Sequence, residues 1–115
     1  MRVRRRFDFE AAHELPQHPG KCRDLHGHSY ELSVIVDRPV DPQSGMAIDF
    51  GDLKRIVRRE VTDVLDHKTL NELIDNPTAE LISVWIWNRL VEPLPGLVEI
   101  ELRETRRCSV IYRGE

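Results

Sequence analysis

Apolar and polar positions alternate along the first dozen residues. Val3, Phe7, Phe9, Ala11 and His13 share one parity with Arg5, while Arg2, Arg4, Arg6, Asp8, Glu10 and Ala12 hold the other. Apart from Arg5, this is the period of a half-buried β-strand running from Val3 to His13. Pro16, Pro19 and Gly20 then break the pattern into a loop. Alternation resumes with His26, His28, Tyr30, Leu32, Val34 and Val36 set against Gly27, Ser29, Glu31 and Ser33, which predicts a second strand. Arg38 to Gly45 carries two prolines and reads as a turn, and Asp49 is placed to cap a helix. Leu53, Ile56, Val57, Val61, Val64 and Leu65 supply the apolar face of that helix, which should end near Asp66. A second helix is predicted from Asn76, Pro77 and Thr78 through Leu81, Val84, Trp85 and Leu90, stopped by Pro93. After a turn at Pro95 and Gly96, Val98 to Glu104 and Cys108 to Tyr112 alternate again, as a hairpin across Thr105 to Arg107. The order strand, strand, helix, helix, strand, strand predicts one α+β domain over residues 1–115, a four-stranded antiparallel sheet with two helices on one face.

The two long strands carry an unusual feature on their core-facing sides. The first ends that side with His13, and the second begins it with His26 and His28. Residues two apart on a strand project from the same face, so His26 and His28 can chelate one ion, and antiparallel pairing brings His13 to them. Three of the five histidines on one apolar face would be costly unless something satisfied their ring nitrogens, and a metal ion does so. Three neutral imidazoles leave a fourth tetrahedral position open, the mark of a catalytic zinc site rather than a structural one. Zinc is favoured over iron or nickel by ligand type and availability.

Charge and cysteine content narrow the partners. The 115 residues include 17 basic and 20 acidic side chains, a net charge of −3 that disfavours general affinity for nucleic acid or an anionic membrane. An RNA-binding role for Arg2 to Arg6 is weakened further by the lack of aromatic platforms. No stretch approaches a membrane span, and Met1 to Glu14 has basic residues but no apolar run like that of a signal peptide. With only two cysteines, a reducing cytoplasm is the expected compartment.

Other groups could serve chemistry near the histidines. Cys22 lies four residues before His26, between Lys21 and Arg23, where a thiolate base or nucleophile is available; the plainer alternatives are a small buried residue or an adventitious zinc ligand. Cys108, on the side of Val110 and Tyr112, is expected to pack. Asp66 beside His67 suits a proton shuttle, although a histidine at a helix C-terminus also has a structural rationale. Thr78 and Glu80 could be capping residues, and Glu104 a solvated charge.

Several segments together resemble a known family. Phe9-Glu10-Ala11-Ala12-His13, Cys22-Arg23-Asp24-Leu25-His26-Gly27-His28, Leu65-Asp66-His67, Asn76-Pro77-Thr78-Ala79-Glu80 and Tyr112-Arg113-Gly114-Glu115 look like the 6-pyruvoyltetrahydropterin synthase superfamily. The three residues between Cys22 and His26 resemble the bacterial 6-carboxytetrahydropterin synthases of queuosine and 7-deazapurine biosynthesis. The resemblance implies a tunnelling fold, in which sheets of three subunits join into a barrel and two trimers stack as a homohexamer. It implies a substrate, 7,8-dihydroneopterin triphosphate, converted to 6-carboxy-5,6,7,8-tetrahydropterin with loss of acetaldehyde and triphosphate. It also implies residue roles: zinc on His13, His26 and His28; Cys22 as base; Asp66 and His67 as proton relay; Glu104 on the pterin, with Thr78 and Glu80 lining the pocket. Within the same family, pyruvoyl-type elimination is the alternative chemistry. Outside it, the alternative is a non-catalytic zinc-binding module.

Overall fold

In the computed structural model, which describes residues 1–115, the two predicted strands are β1 (Arg2–His13) and β2 (His26–Asp37). They pair antiparallel along their whole length, from Arg2 opposite Asp37 to His13 opposite His26. Because side chains alternate across a strand, this register puts Phe7, Phe9 and Ala11 on the same face as Tyr30, Leu32 and Val34. A slip of one residue would turn that whole set to solvent. Arg2, Arg4 and Arg6 take the other face, where Arg6 approaches Glu31 at 3.8 Å, whereas Arg5 keeps the core parity and donates to the carbonyl of Phe50 at 3.2 Å.

Asp49 caps the next element as expected, its carboxylate accepting from the backbone N–H of Gly51 and Asp52. The helical run comprises α1 (Phe50–Val57), a π-helical turn (Arg58–Thr62) and α2 (Asp63–Leu65). The π turn has a cause in the spacing of the buried residues. Leu53, Val57, Val61 and Leu65 are all fully buried and recur every four residues. In an α-helix such a row drifts by about 40° per step, because four residues exceed one turn. The wider π turn absorbs part of the drift and keeps the row facing the sheet.

The second long helix, α3 (Ala79–Leu90), is capped by Thr78, whose hydroxyl accepts from the N–H of Leu81. Ile82, Ile86 and Leu90 complete the apolar layer. β4 (Leu97–Arg103) and β5 (Ser109–Tyr112) form the terminal hairpin, and β4 joins the other edge of β2. One core of 19 buried residues unites the sheet and helices.

The sheet has five strands rather than four. Lys68 and Thr69 form β3, which pairs parallel to Ala11 and Ala12, giving the order β3-β1-β2-β4-β5. Its origin lies at Glu10, whose N–H donates to the Asp66 carboxylate at 2.8 Å and whose carbonyl accepts from the N–H of His67 at 2.6 Å. His67 takes a left-handed φ of 59° to make that turn. Two residues are too few to show alternation in a sequence. β3 covers only the end of β1, so the rest of β1 and all of β5 remain open edges.

Candidate functional site

The histidines meet at the end of the β1–β2 ribbon, where His13 faces His26 across the ladder and Ala11 faces His28. Their ring centroids lie 4.6 to 5.1 Å apart, and one nitrogen from each falls within 4.8 Å of the others. His13 is fully buried and the other two partly so.

Backbone carbonyls fix which nitrogen is free in two of the three rings. His13 Nδ1 donates to the carbonyl of Pro77 at 2.7 Å, and His26 Nδ1 donates to the carbonyl of Asp24 at 2.7 Å. A neutral imidazole has one donor and one acceptor, so both rings turn a lone pair outward at Nε2. Those two Nε2 atoms are 3.0 Å apart. Two lone pairs at that distance repel unless a cation lies between them. His28 Nε2 is buried with no hydrogen-bond partner, and such a group costs about 1–3 kcal/mol. Burial holds the His28 pKa below the ordinary imidazole value despite the upward pull of the Glu104 carboxylate, with His13 and His26 adding to the lowering. A neutral third ligand results.

The set therefore fits a borderline-soft divalent cation. Tetrahedral zinc with Zn–N near 2.0–2.1 Å would space its ligand nitrogens by about 3.4 Å, against 3.0 Å between the Nε2 atoms of His13 and His26 and at most 4.8 Å across the three. The two carbonyls provide the outer hydrogen bonds that metal-ligating imidazoles need for a fixed tautomer. Tyr30 adds to this support, its phenol oxygen 3.4 Å from His13 Nδ1. Burial and the Glu104 charge raise the Tyr30 pKa, so the phenol stays neutral.

A pocket of about 400 Å³ gathers Cys22, Thr78, Glu80 and Glu104 along its walls. The Glu104 carboxylate also fronts the triad, 3.7 Å from His28 Nε2 and 4.0 Å from His13 Nε2. It is too far for a hydrogen bond to either ring. Cys22 is half-buried here, on a 3₁₀ turn at Lys21–Arg23. Thr78 is the helix cap, whereas Glu80 makes no capping contact. Cys108 does not pack as expected: it sits before the start of β5 and is exposed at the rim of the same pocket.

Asp66 and His67 stand elsewhere. They contact each other at 3.0 Å, but the His67 side chain is 79% exposed and lines a depression distinct from the Cys22 pocket, with Glu10, Gly27, His28, Ser29 and Lys68. Within one chain they do not reach the Cys22 pocket. The Asp66 pKa is lowered mainly by the hydrogen bond from the Glu10 N–H, with His67 contributing. A carboxylate with a depressed folded-state pKa stabilises fully above its unfolded value near 4, and that contribution is lost as pH falls through the folded value. Asp66→Asn is thus expected to melt below the parent at neutral pH, with the gap closing as the pH falls below the ordinary carboxylate range; melting curves across acidic pH check it.

The carbonyls of Pro77 and Asp24 had no signal in the sequence, because any residue type supplies a carbonyl. Tyr30 was legible only as a core position.

Known proteins resemble the chain in sequence and fold. The family model for 6-pyruvoyl tetrahydropterin synthase matches residues 2–115. A 6-carboxy-5,6,7,8-tetrahydropterin synthase of Synechocystis sp. is 44% identical over 117 residues, spanning 96% of this chain and 91% of that protein. The 6-pyruvoyl tetrahydrobiopterin synthase of Homo sapiens is 34% identical, spanning 98% of this chain and 91% of its own. The solved structure of Caenorhabditis elegans 6-pyruvoyl tetrahydropterin synthase superposes with a TM-score of 0.90 at 27% identity, covering 100% of this chain and 96% of that one. The chain belongs to the 6-pyruvoyl tetrahydropterin synthase family.

Proposed function

We propose that the protein is a zinc-dependent 6-carboxy-5,6,7,8-tetrahydropterin synthase. It takes 7,8-dihydroneopterin triphosphate and releases acetaldehyde and triphosphate, as a cytoplasmic step toward queuosine and related 7-deazapurines. The observation that carries this reading is the convergence of three lone-pair nitrogens on one point beside a pocket lined by Cys22 and Glu104. Similarity to the Synechocystis protein favours the carboxy product over the pyruvoyl one.

Each residue has a task in this scheme. Zinc, when bound by His13, His26 and His28, supplies Lewis acidity toward the hydroxyl oxygens of the substrate side chain. Glu104 accepts two parallel hydrogen bonds from the amino-pyrimidine edge of the pterin. Thr78 and Glu80 line the same pocket. Cys22, as thiolate, takes a proton from the side chain. Asp66 holds the Nδ1–H of His67, leaving Nε2 to exchange protons. Since this pair opens on a different depression, it serves the pocket of a second copy of the chain. Closure of the open edges of β1 and β5 into a barrel of three sheets, stacked as a hexamer, would bring copies together.

Incubation of the zinc-loaded protein with 7,8-dihydroneopterin triphosphate, followed by mass spectrometry of every product, tests the reading. The carboxy-pterin with stoichiometric acetaldehyde is expected. A pyruvoyl product without acetaldehyde would shift the assignment to the elimination chemistry. No turnover at all would leave a zinc-binding module.

A further inference from the structure

The loop between β1 and β2 folds back on itself before it reaches the metal-site histidines. The N–H of Leu15 donates to the carbonyl of Cys22 at 3.2 Å, and the N–H of His18 donates to the carbonyl of Leu15 at 2.8 Å. These two bonds bring His18 to the Cys22 side, and both residues line the same pocket, with Glu104 and Glu80 also on its walls.

The His18 ring is held in a defined state. The N–H of Gly20 donates to His18 Nδ1 at 2.9 Å, so Nδ1 carries the lone pair and the ring proton sits on Nε2. Gly20 also lies flat against the imidazole: a Cβ there would stand 3.1 Å from His18 Cε1 and 3.3 Å from Nδ1. The ring is thus a positioned donor, and its Nε2–H makes no hydrogen bond within the chain.

The pocket is electrostatically divided. One part presents the carboxylates of Glu80 and Glu104, and the other is formed by Leu15, His18 and Cys22 of the loop, whose 3₁₀ turn holds Lys21 and Arg23 beside the lining and not in it. A polyanion avoids the first and favours the second, where His18 offers a fixed N–H and the same loop carries two exposed cations outside the lining. We propose that His18 is a substrate-binding residue whose Nε2–H donates to a phosphate oxygen of the triphosphate chain. This rests on the assignment of 7,8-dihydroneopterin triphosphate as substrate. The inference extends it by giving the two ends of the molecule separate anchors, Glu104 for the pterin and His18 for the phosphates.

The test uses the zinc-loaded protein in steady-state turnover. His18→Ala is expected to raise KM for 7,8-dihydroneopterin triphosphate roughly ten- to hundredfold, the worth of a charge-assisted hydrogen bond, with kcat within about threefold. Inhibition by dihydroneopterin, which lacks the phosphates, should be unchanged. His18→Gln, which keeps an N–H near the Nε2 position, should recover most of the loss. Gly20→Ala, which displaces the ring, should reproduce part of it. An unchanged KM in His18→Ala would overturn the inference. So would equal weakening of dihydroneopterin, since the ring would then touch the pterin or merely support the loop. A fall in kcat alone would overturn it too. Absence of product from the parent would fell the substrate assignment and this inference together; product from the parent with an insensitive His18 would fell this inference alone.

Discussion

His28→Ala is expected to abolish stoichiometric zinc binding while leaving the metal-free protein as stable as the parent or more so. The reasoning turns on the state of Nε2. That atom is buried and has no hydrogen-bond partner within the chain. Removing an unsatisfied polar group relieves a cost of about 1–3 kcal/mol, which offsets the packing lost with the half-buried ring. Metal binding, by contrast, loses one ligand in three. Outer-shell changes at such sites already cost 10–100-fold in affinity, so loss of a ligand should exceed about 100-fold. Melting with and without zinc separates the effects. Zinc at about 1,000 times its Kd should stabilise the parent by about 4 kcal/mol and leave His28→Ala unmoved. His13→Ala makes the contrast. His13 is fully buried and its Nδ1 is the donor to the Pro77 carbonyl, so that variant should lose zinc and also melt lower without it. Elemental analysis of the purified His28→Ala protein checks the central point, and retention of one zinc per chain would refute the ligand set.

The strand period makes this constellation legible in the sequence. Placement of His13, His26 and His28 on one face requires only alternation and an antiparallel register. Both were set by the apolar residues Phe7, Phe9, Tyr30 and Leu32, which must share the buried side. The helices were equally legible, because Asp49 and Thr78 are caps whose function depends on side-chain chemistry. What escaped the sequence depends on backbone atoms or on contacts distant along the chain. The carbonyl of Pro77 reaches His13 across 64 residues, and the Glu10 backbone N–H binds Asp66 from 56 residues away, which sets Lys68 and Thr69 against β1 as a fifth strand. No local pattern encodes either. His18 escaped for a different reason: its position depends on loop hydrogen bonds between Leu15 and Cys22 that leave no periodic trace. The exposure of Cys108 shows the limit of alternation itself, since parity with Val110 and Tyr112 gives the side of a strand but not where the strand begins.

The other large effect concerns the thiol. Cys22→Ala is expected to lower turnover by about 10²–10⁴, the usual worth of a positioned general base, while zinc content and substrate binding stay near those of the parent. The geometry separates these quantities. The nitrogens of His13, His26 and His28 form the ligand group without Cys22, so its removal leaves the metal set whole. Glu104 stands on a different element, at the end of β4, so the proposed pterin anchor is also untouched. Loss of the sulfur should appear in kcat rather than in KM. Cys108→Ala is the matched control, a second thiol at the rim of the same pocket that is exposed and has no assigned role in proton removal. It should turn over like the parent. Cys22→Ser should remain as impaired as alanine, because a serine hydroxyl is a far weaker acid than a thiol and supplies almost no anionic base at neutral pH. If Cys22→Ala instead lost its zinc, the thiol would belong to the metal set and the base would lie elsewhere. If it retained full turnover, proton removal would have to be assigned to another group, with the His67 of a second copy the first to be replaced.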